Sequence, residues 1–336
     1  MRIICTYLIL MGITINAFAD ACESHSTQPV DLEHSLKTLC IYEPTTIGWT
    51  WDSDDVSFMD FKLSLMYQLF PGNLTHILNK LHDGLGSNSA LYFAFTGRLG
   101  QYIGTRDSSP VIGKRFNPKL FFRFWGESTD PSKPDHSTAS YLDVGYAHES
   151  NGQSINTKAE YDIAHDQAAA FKQDPEYIND QLSRGWDDVE ITLKNEKLYR
   201  TIKGIKIYSD KIFNFDLSNY IELKYFLPHG LLQGAPEDYN PAIHYDSEGQ
   251  PRRRMDGVSE AVKGVAVIDG TKFKYYASIV TGYAHFGTFK TYRLEFSRMI
   301  LEIPFTIWGQ WGYNSDLAQY YKKASSFGFY VDLGSF

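Results

Sequence analysis

Long stretches of this chain alternate apolar and polar side chains with a period of two, over runs that reach nine to twelve residues. In Asp60 to Leu69 the apolar set is Phe61, Leu63, Leu65, Tyr67 and Leu69, opposed by Asp60, Lys62, Ser64, Met66 and Gln68. Ile221, Leu223, Tyr225 and Leu227 oppose Glu222 and Lys224; Tyr292, Leu294 and Phe296 oppose Arg293, Glu295 and Ser297; Phe327, Phe329, Val331 and Leu333 oppose Gly328, Tyr330 and Asp332. A period of two puts each set on one face of an extended strand. Strands of soluble sandwiches average about 5 or 6 residues, whereas a tilted strand crossing a bilayer needs about 9 to 11, apolar outside and polar inside. The 23 Tyr, 22 Phe and 6 Trp suit such a wall, with aromatic residues near strand ends. Past the N-terminus no apolar run reaches the roughly 18 residues of a spanning helix.

About twelve such segments follow one another, near 42–51, 58–70, 89–101, 115–126, 139–150, 183–195, 218–228, 257–268, 272–283, 289–299, 301–312 and 325–336. An even count returns both termini to one side of the membrane. The fold expected is all-β, a 12-stranded antiparallel transmembrane β-barrel over residues 42–336. The last residue, Phe336, resembles the terminal aromatic of many outer-membrane barrels but is out of register with Phe327, Phe329, Val331 and Leu333, so either Gly334 bulges or this signal is imperfect.

Ahead of the barrel, Arg2, the largely apolar Ile3 to Ile15 and the small-x-small site Ala17-Phe18-Ala19 read as a secretory signal peptide over 1–19. Residues 20–41 then form a periplasmic N-terminal segment. Export leaves Cys22 and Cys40, either a disulfide or two free thiols. A net charge of −8 argues against a nucleic-acid partner, since such affinity rests on basic surface.

Two loops stand out. The alanine-rich stretch Thr157 to Lys172 predicts a short helix in an inserted surface loop at about 155–182. Arg252-Arg253-Arg254, after the seventh strand, is either a solvated loop or a contact for anionic lipopolysaccharide.

On the fifth strand Leu142, Val144, Tyr146, His148 and Ser150 share one parity, opposite Asp143, Gly145, Ala147 and Glu149. His148 and Ser150 therefore face lipid, where polar groups are costly without partners. On the next strand Asp187 shares the outward parity of Val189, Ile191 and Leu193. If the two strands pair, Asp187 comes beside His148, giving an Asp-His-Ser array in which serine attacks, histidine takes its proton and the carboxylate orients the ring. The alternative is three interfacial groups bonded to headgroups and water. The chain has no Gly-x-Ser-x-Gly elbow, His-Glu-x-x-His or phosphate loop, and His165-Asp166 reads as solvated helix surface.

Tyr146-Ala147-His148-Glu149-Ser150-Asn151-Gly152-Gln153-Ser154, followed by Ser183-Arg184-Gly185-Trp186-Asp187, resembles the signature of the outer membrane phospholipase A family. Phe61-Lys62-Leu63-Ser64-Leu65, Ser108-Ser109-Pro110 and Phe116-Asn117-Pro118-Lys119-Leu120-Phe121 resemble family segments in the same order. The resemblance runs from about residue 42 to the C-terminus. It implies a calcium-dependent enzyme of the bacterial outer membrane, active as a homodimer, that hydrolyses acyl esters of phospholipids and lysophospholipids with phospholipase A1/A2 activity. By matching position, His148 is implied as the base, Ser150 as the nucleophile, Asp187 as the orienting group and the Gly152 amide as an oxyanion donor. The implied Ca2+ ligands are the Gln153 carbonyl and Ser183 hydroxyl of one subunit with Ser108 of the other; hard oxygens suit this cation. The chain departs from the family pattern in carrying Asp187 for a usual asparagine, Gln153 for a common arginine, and a longer stretch between Ser154 and Ser183. The rival function is a barrel acting as pore or adhesin that keeps the array only as ancestry.

Overall fold

The computed structural model describes residues 39–52, 57–69, 89–104, 111–125, 141–171, 175–195, 202–206, 212–233, 257–268, 271–282, 290–313, 317, 318, 320 and 323–333. The strands are β1 (Leu39–Ile41), β2 (Thr46–Asp52), β3 (Ser57–Gln68), β4 (Ser89–Gln101), β5 (Val111–Trp125), β6 (Tyr141–Ser150), β7 (Gly185–Asn195), β8 (Ile202–Lys206), β9 (Ile212–Phe226), β10 (Gly257–Ile268), β11 (Thr271–Gly282), β12 (Thr291–Ile300), β13 (Ile303–Gly312) and β14 (Ala324–Asp332). All strand pairings are antiparallel, each long strand lies beside its sequence neighbour, and β14 returns to pair β2. Because β4 pairs β3 as well as β5, the circuit of pairings returns to its start. β1 and β2 both pair β3 on one edge and act as a single interrupted strand, while β8 pairs only β9. Twelve positions around the barrel result.

Several bounds differ from the sequence reading. The first strand starts at Leu39, inside the segment assigned to the N-terminal region, and breaks over Tyr42–Thr45. There Thr45 and Ser64 exchange a side-chain bond for the ladder, Ser64 N donating to Thr45 Oγ1 over 3.2 Å. β9 starts six residues earlier than expected, at Ile212, and β14 ends at Asp332. Cys40 is disulfide-bonded. Residues 1–19, read as a signal peptide, Cys22, Arg252–Arg254, Ser108 and Phe336 lie outside the described residues.

Burial follows the alternation. Leu63, Leu120, Val144, Leu193, Leu294, Phe296, Ile307 and Phe327 are exposed on the outer wall, an apolar band of the kind lipid covers. The inner face holds ion pairs: Arg98 with Asp60 at 2.5 Å, Arg123 with Asp143 at 2.7 Å, and Arg293 with Glu295 at 2.6 Å. Lys224 reaches Glu149 at 2.8 Å and Glu190 at 2.6 Å, and Lys119 also pairs with Glu190. Charges removed from water need such partners. At the rim where β6 ends, Trp186 packs edge-on against Tyr320 and beside Leu317.

At the opposite rim β12 and β13 are joined by Leu301 and Glu302, both with positive φ, 51° and 66°. That is the type I′ hairpin turn, which favours Asn-Gly. A side chain in the left-handed region costs roughly 1–2 kcal/mol per residue. Leu301→Asn with Glu302→Gly should therefore stabilise the barrel by about 1 kcal/mol, read as a higher urea midpoint in lipid vesicles.

The inserted loop carries the expected helix, α1 (Lys158–Ala170), one residue inside its expected start and two inside its end. Thr157 caps it, with Glu160 closing the capping box, and the amides of Asn156 and Thr157 hold the Glu160 carboxyl below its ordinary range. A 3-10 turn, Pro175–Gln181, follows. Ala168 packs with Ile155, Ile178 and Leu182 in a small core separate from the barrel. Tyr102 and Lys114 both hold Asp180, at 2.8 and 3.1 Å, which fastens the insertion to the rim of β4 and β5. His165 and Asp166 are exposed and 4.0 Å apart, as expected of solvated helix surface.

Candidate active site

β6 and β7 pair in a register that sets His148 directly opposite Asp187 and Ser150 opposite Gly185. Burial alternates along β6 as the parity predicts: Asp143, Ala147 and Glu149 are buried, Leu142 and Val144 exposed. His148, Ser150 and Asp187 therefore lie on the outer wall near one rim. His148 Nδ1 is 2.8 Å from Asp187 Oδ1. An ionised carboxylate only accepts, so Nδ1 carries the proton and Nε2 is left as the basic nitrogen. Ser150 is two residues further along the same face, about 7 Å from His148 between Cα atoms. Its hydroxyl makes no hydrogen bond among the described residues. Asn117 Nδ2 donates to the His148 carbonyl at 3.2 Å and so fixes the strand beneath the ring.

Asp187 is buried although its parity points outward, its side chain fully covered. The cover is the segment after β9. Leu227 N donates to the Asp187 carbonyl at 2.8 Å, and the amides of Leu232 and Gln233 donate to Oδ2 at 2.7 and 2.8 Å. Tyr146 OH donates to the same oxygen at 2.6 Å and accepts from Leu231 N at 2.6 Å. Tyr146 opens the quoted motif but carried no assigned role, and this segment did not stand out in the sequence. Backbone donors leave no signature in residue types, although Gly230 marks the turn.

Past Ser150 the chain makes a neck with the stretch ahead of β7. Asn151 N donates to the Arg184 carbonyl at 3.1 Å, Ser183 N to the Ile155 carbonyl at 2.9 Å, and Ile155 N to the Gln181 carbonyl at 3.1 Å. Ile155 bridges Leu182. The long stretch between Ser154 and Ser183 thus leaves and returns at one place, so Gln153 and Ser183 come to facing sides of the neck despite it. Gly152 has φ +64°, with the Phe116 ring 3.2 Å from where a Cβ would stand; glycine is the residue that takes this conformation without strain. Gln153 Nε2 contacts the carbonyls of Gly113 and Asn151 at 3.5 and 3.4 Å.

Asn151 went unremarked in the sequence although it lies inside the quoted motif. It is fully buried, donating from Nδ2 to the Leu182 carbonyl at 2.7 Å and accepting from Arg184 N at 2.9 Å. Asn151→Ala leaves a buried amide and a buried carbonyl unsatisfied, each costing about 1–3 kcal/mol. The neck should loosen, read as faster amide exchange at Leu182–Arg184 while the β9–β11 strands keep their protection.

Among the described residues Glu149, Asp188 and Glu190 form the group with the donors and spacing for a cation. They face the interior, on the far side of the wall from His148. Lys224 already stands between Glu149 and Glu190, so an ammonium fills the place a metal would take. The neck offers different donors, the neutral oxygens of Gln153 and Ser183, which suit a hard cation without a local charge pair.

No family model and no curated protein matches the chain by sequence. Solved structures do match it. "Outer membrane phospholipase A from Escherichia coli" shares 16% identity at a TM-score of 0.53, covering 88% of this chain and 95% of that one. The Salmonella typhi outer membrane phospholipase dimer with bound calcium shares 15% identity at a TM-score of 0.55, covering 93% and 98%. An active-site mutant of the Escherichia coli protein shares 15% identity at a TM-score of 0.53, over 94% and 98%. The expectation of a twelve-position antiparallel barrel holds, and this chain has the fold of the outer membrane phospholipase A structures.

Proposed function

We propose that this chain is a calcium-dependent phospholipase of a bacterial outer membrane, exported by cleavage of residues 1–19 and active as a homodimer. Its substrates are phospholipids and lysophospholipids, with phospholipase A1/A2 activity. The observation that carries this reading is the His148–Asp187 pair, built on a lipid-facing wall at 2.8 Å with Ser150 on the same face. A bonded acid and imidazole on an apolar wall call for a chemical use.

In this reading Ser150 Oγ attacks the ester carbonyl carbon while its proton passes to His148 Nε2. Asp187 holds the Nδ1–H and stabilises the imidazolium. The Gly152 amide, presented by the left-handed turn, donates to the oxyanion. Collapse breaks the ester C–O bond, the leaving alkoxide takes the proton from His148, and water then hydrolyses the acyl-serine with His148 again as base. Gln153 and Ser183, with Ser108 of the partner subunit, would hold Ca2+, which when bound supplies positive charge beside the oxyanion. Phe116, paired in register with Ser150, offers an acyl chain one apolar wall, and a second barrel would offer the other.

The rival reading as a pore fits less well with an interior crossed by ion pairs and a rim filled by Trp186, Tyr320 and Leu317. The test is fatty-acid release from phosphatidylcholine in mixed micelles, with calcium or with a chelator. Release should fall at least tenfold on chelation. No release from a folded, calcium-loaded sample sinks the phospholipase, and conductance across planar bilayers in that sample would favour the pore.

A further inference from the structure

Asp187 offers one oxygen to His148 and buries the other under a ring of donors. Oδ2 faces Tyr146 OH at 2.6 Å, Leu232 N at 2.7 Å and Gln233 N at 2.8 Å. Tyr146 cannot readily turn its hydroxyl away, because that oxygen already accepts from Leu231 N at 2.6 Å. The segment itself is pinned, by Leu227 N to the Asp187 carbonyl and by Gly230 N to the Gln233 carbonyl at 3.0 Å. A Cβ on Gly230 would stand 1.9 Å from Oδ2, so a residue with a side chain cannot occupy that point of the turn without moving it.

We propose that Tyr146 and the turn Gly230–Gln233 form a cradle built for a carboxylate, so that position 187 of this chain requires aspartate and an asparagine there would not serve. The reason is donor counting. An asparagine that keeps its oxygen on the His148 Nδ1–H turns its NH2 toward two backbone N–H groups, which have no other role to take. The three donors at the Oδ2 position against one Nδ1–H favour the flipped arrangement, in which the oxygen satisfies the cradle but the NH2 faces Nδ1. The imidazole must then adopt the opposite tautomer, with the proton on Nε2, and loses the basic nitrogen that faces serine. Neither arrangement is productive. Tyr146 and Gly230 are thus positioning residues, acting on the ring through Asp187.

The kinetic arm rests on the phospholipase reading, whereas the tautomer arm does not. With the full chain, calcium-loaded in phosphatidylcholine mixed micelles, Asp187→Asn should fall within fivefold of Asp187→Ala, both about 1000-fold or more below the parent. Tyr146→Phe removes one of three donors and should lower kcat about tenfold with KM unchanged, and Gly230→Ala should lower kcat at least as far. In 15N-histidine spectra, the signal assigned to His148 by its absence in His148→Ala should show Nδ1–H in the parent and Nε2–H, or a mixture, in Asp187→Asn. An Asp187→Asn chain closer in kcat to the parent than to Asp187→Ala, a Tyr146→Phe chain with parental kcat, or an unchanged Nδ1–H tautomer in Asp187→Asn overturns the cradle. A parent that hydrolyses nothing while its tautomer responds as stated removes the phospholipase reading and leaves the cradle standing.

Discussion

Ser150→Ala and His148→Ala should each lower phospholipid hydrolysis by roughly 10^4-fold or more, while the barrel keeps its fold. In the proposed mechanism the nucleophile and the base act as a unit, so either loss would remove the covalent route and leave only what the oxyanion donor and substrate binding supply. The fold should survive because both side chains lie on the outer wall. His148 contributes one bond, to Asp187, and the Ser150 hydroxyl none among the described residues. Truncation there removes polar atoms from an apolar surface and opens no core cavity. Heat-modifiable gel mobility should match the parent while fatty-acid release vanishes. A Ser150→Ala chain with near-parental turnover would remove Ser150 from its role.

The largest effect on stability is expected inside the barrel. Lys224→Met leaves Glu149 and Glu190 facing Asp188, with oxygens of all three within 4.8 Å of one another and Lys119 as the remaining cation at Glu190. Breaking a buried pair by removing one partner costs about 3–5 kcal/mol, because the charge left behind stays out of water. Replacing both partners is far milder, so Lys224→Met with Glu149→Gln, which leaves Glu190 to Lys119, should recover most of the loss. Urea midpoints in lipid vesicles measure both, and an unshifted midpoint in Lys224→Met would show that water reaches this cluster. Glu149 stands between His148 and Ser150 in sequence, on the opposite face. Strain in the interior is therefore one peptide away from the site, and Lys224→Met should also lower turnover.

Much of this could be read from residues alone, because a strand's period of two is rigid. Once Leu142, Val144 and Tyr146 fix the outward face, His148 and Ser150 follow, and Asp187 follows from Val189 to Leu193 in the same way. The exposed Leu142 and Val144 and buried Asp143, Ala147 and Glu149 agree with that reading. Pairing of β6 with β7 then needed only the rule that consecutive strands are antiparallel neighbours. What stayed hidden was made of backbone. The covering of Asp187 by Leu231, Leu232 and Gln233 uses N–H groups that every residue but proline carries, and Leu231 and Leu232 look from their type like wall residues. The break at Tyr42–Thr45 was hidden because Ile41, Tyr42 and Ile47 continue a strand-like composition through it. β9 begins early because Phe213, Phe215 and Leu217 extend the alternation beyond the expected start. Asn151 was in view within a quoted motif, but its role depends on Leu182 and Arg184, which only the folded neck brings near.

The neck has a consequence for how such a chain can change over generations. Ile155 and Leu182 meet, and the 26 residues from 156 to 181 leave and return at that point with a small core of their own. The cost of closing a loop grows only with the logarithm of its length. Insertions and deletions that spare the small core and the Asp180 contacts with Tyr102 and Lys114 therefore reach the His148–Asp187 pair hardly at all, and the rest of this stretch is free to lengthen, shorten or acquire a new binding role while those anchors stay fixed. A lineage could exchange what this rim of the barrel presents, helix and all, as freely as a handle is changed on a tool whose blade is left alone.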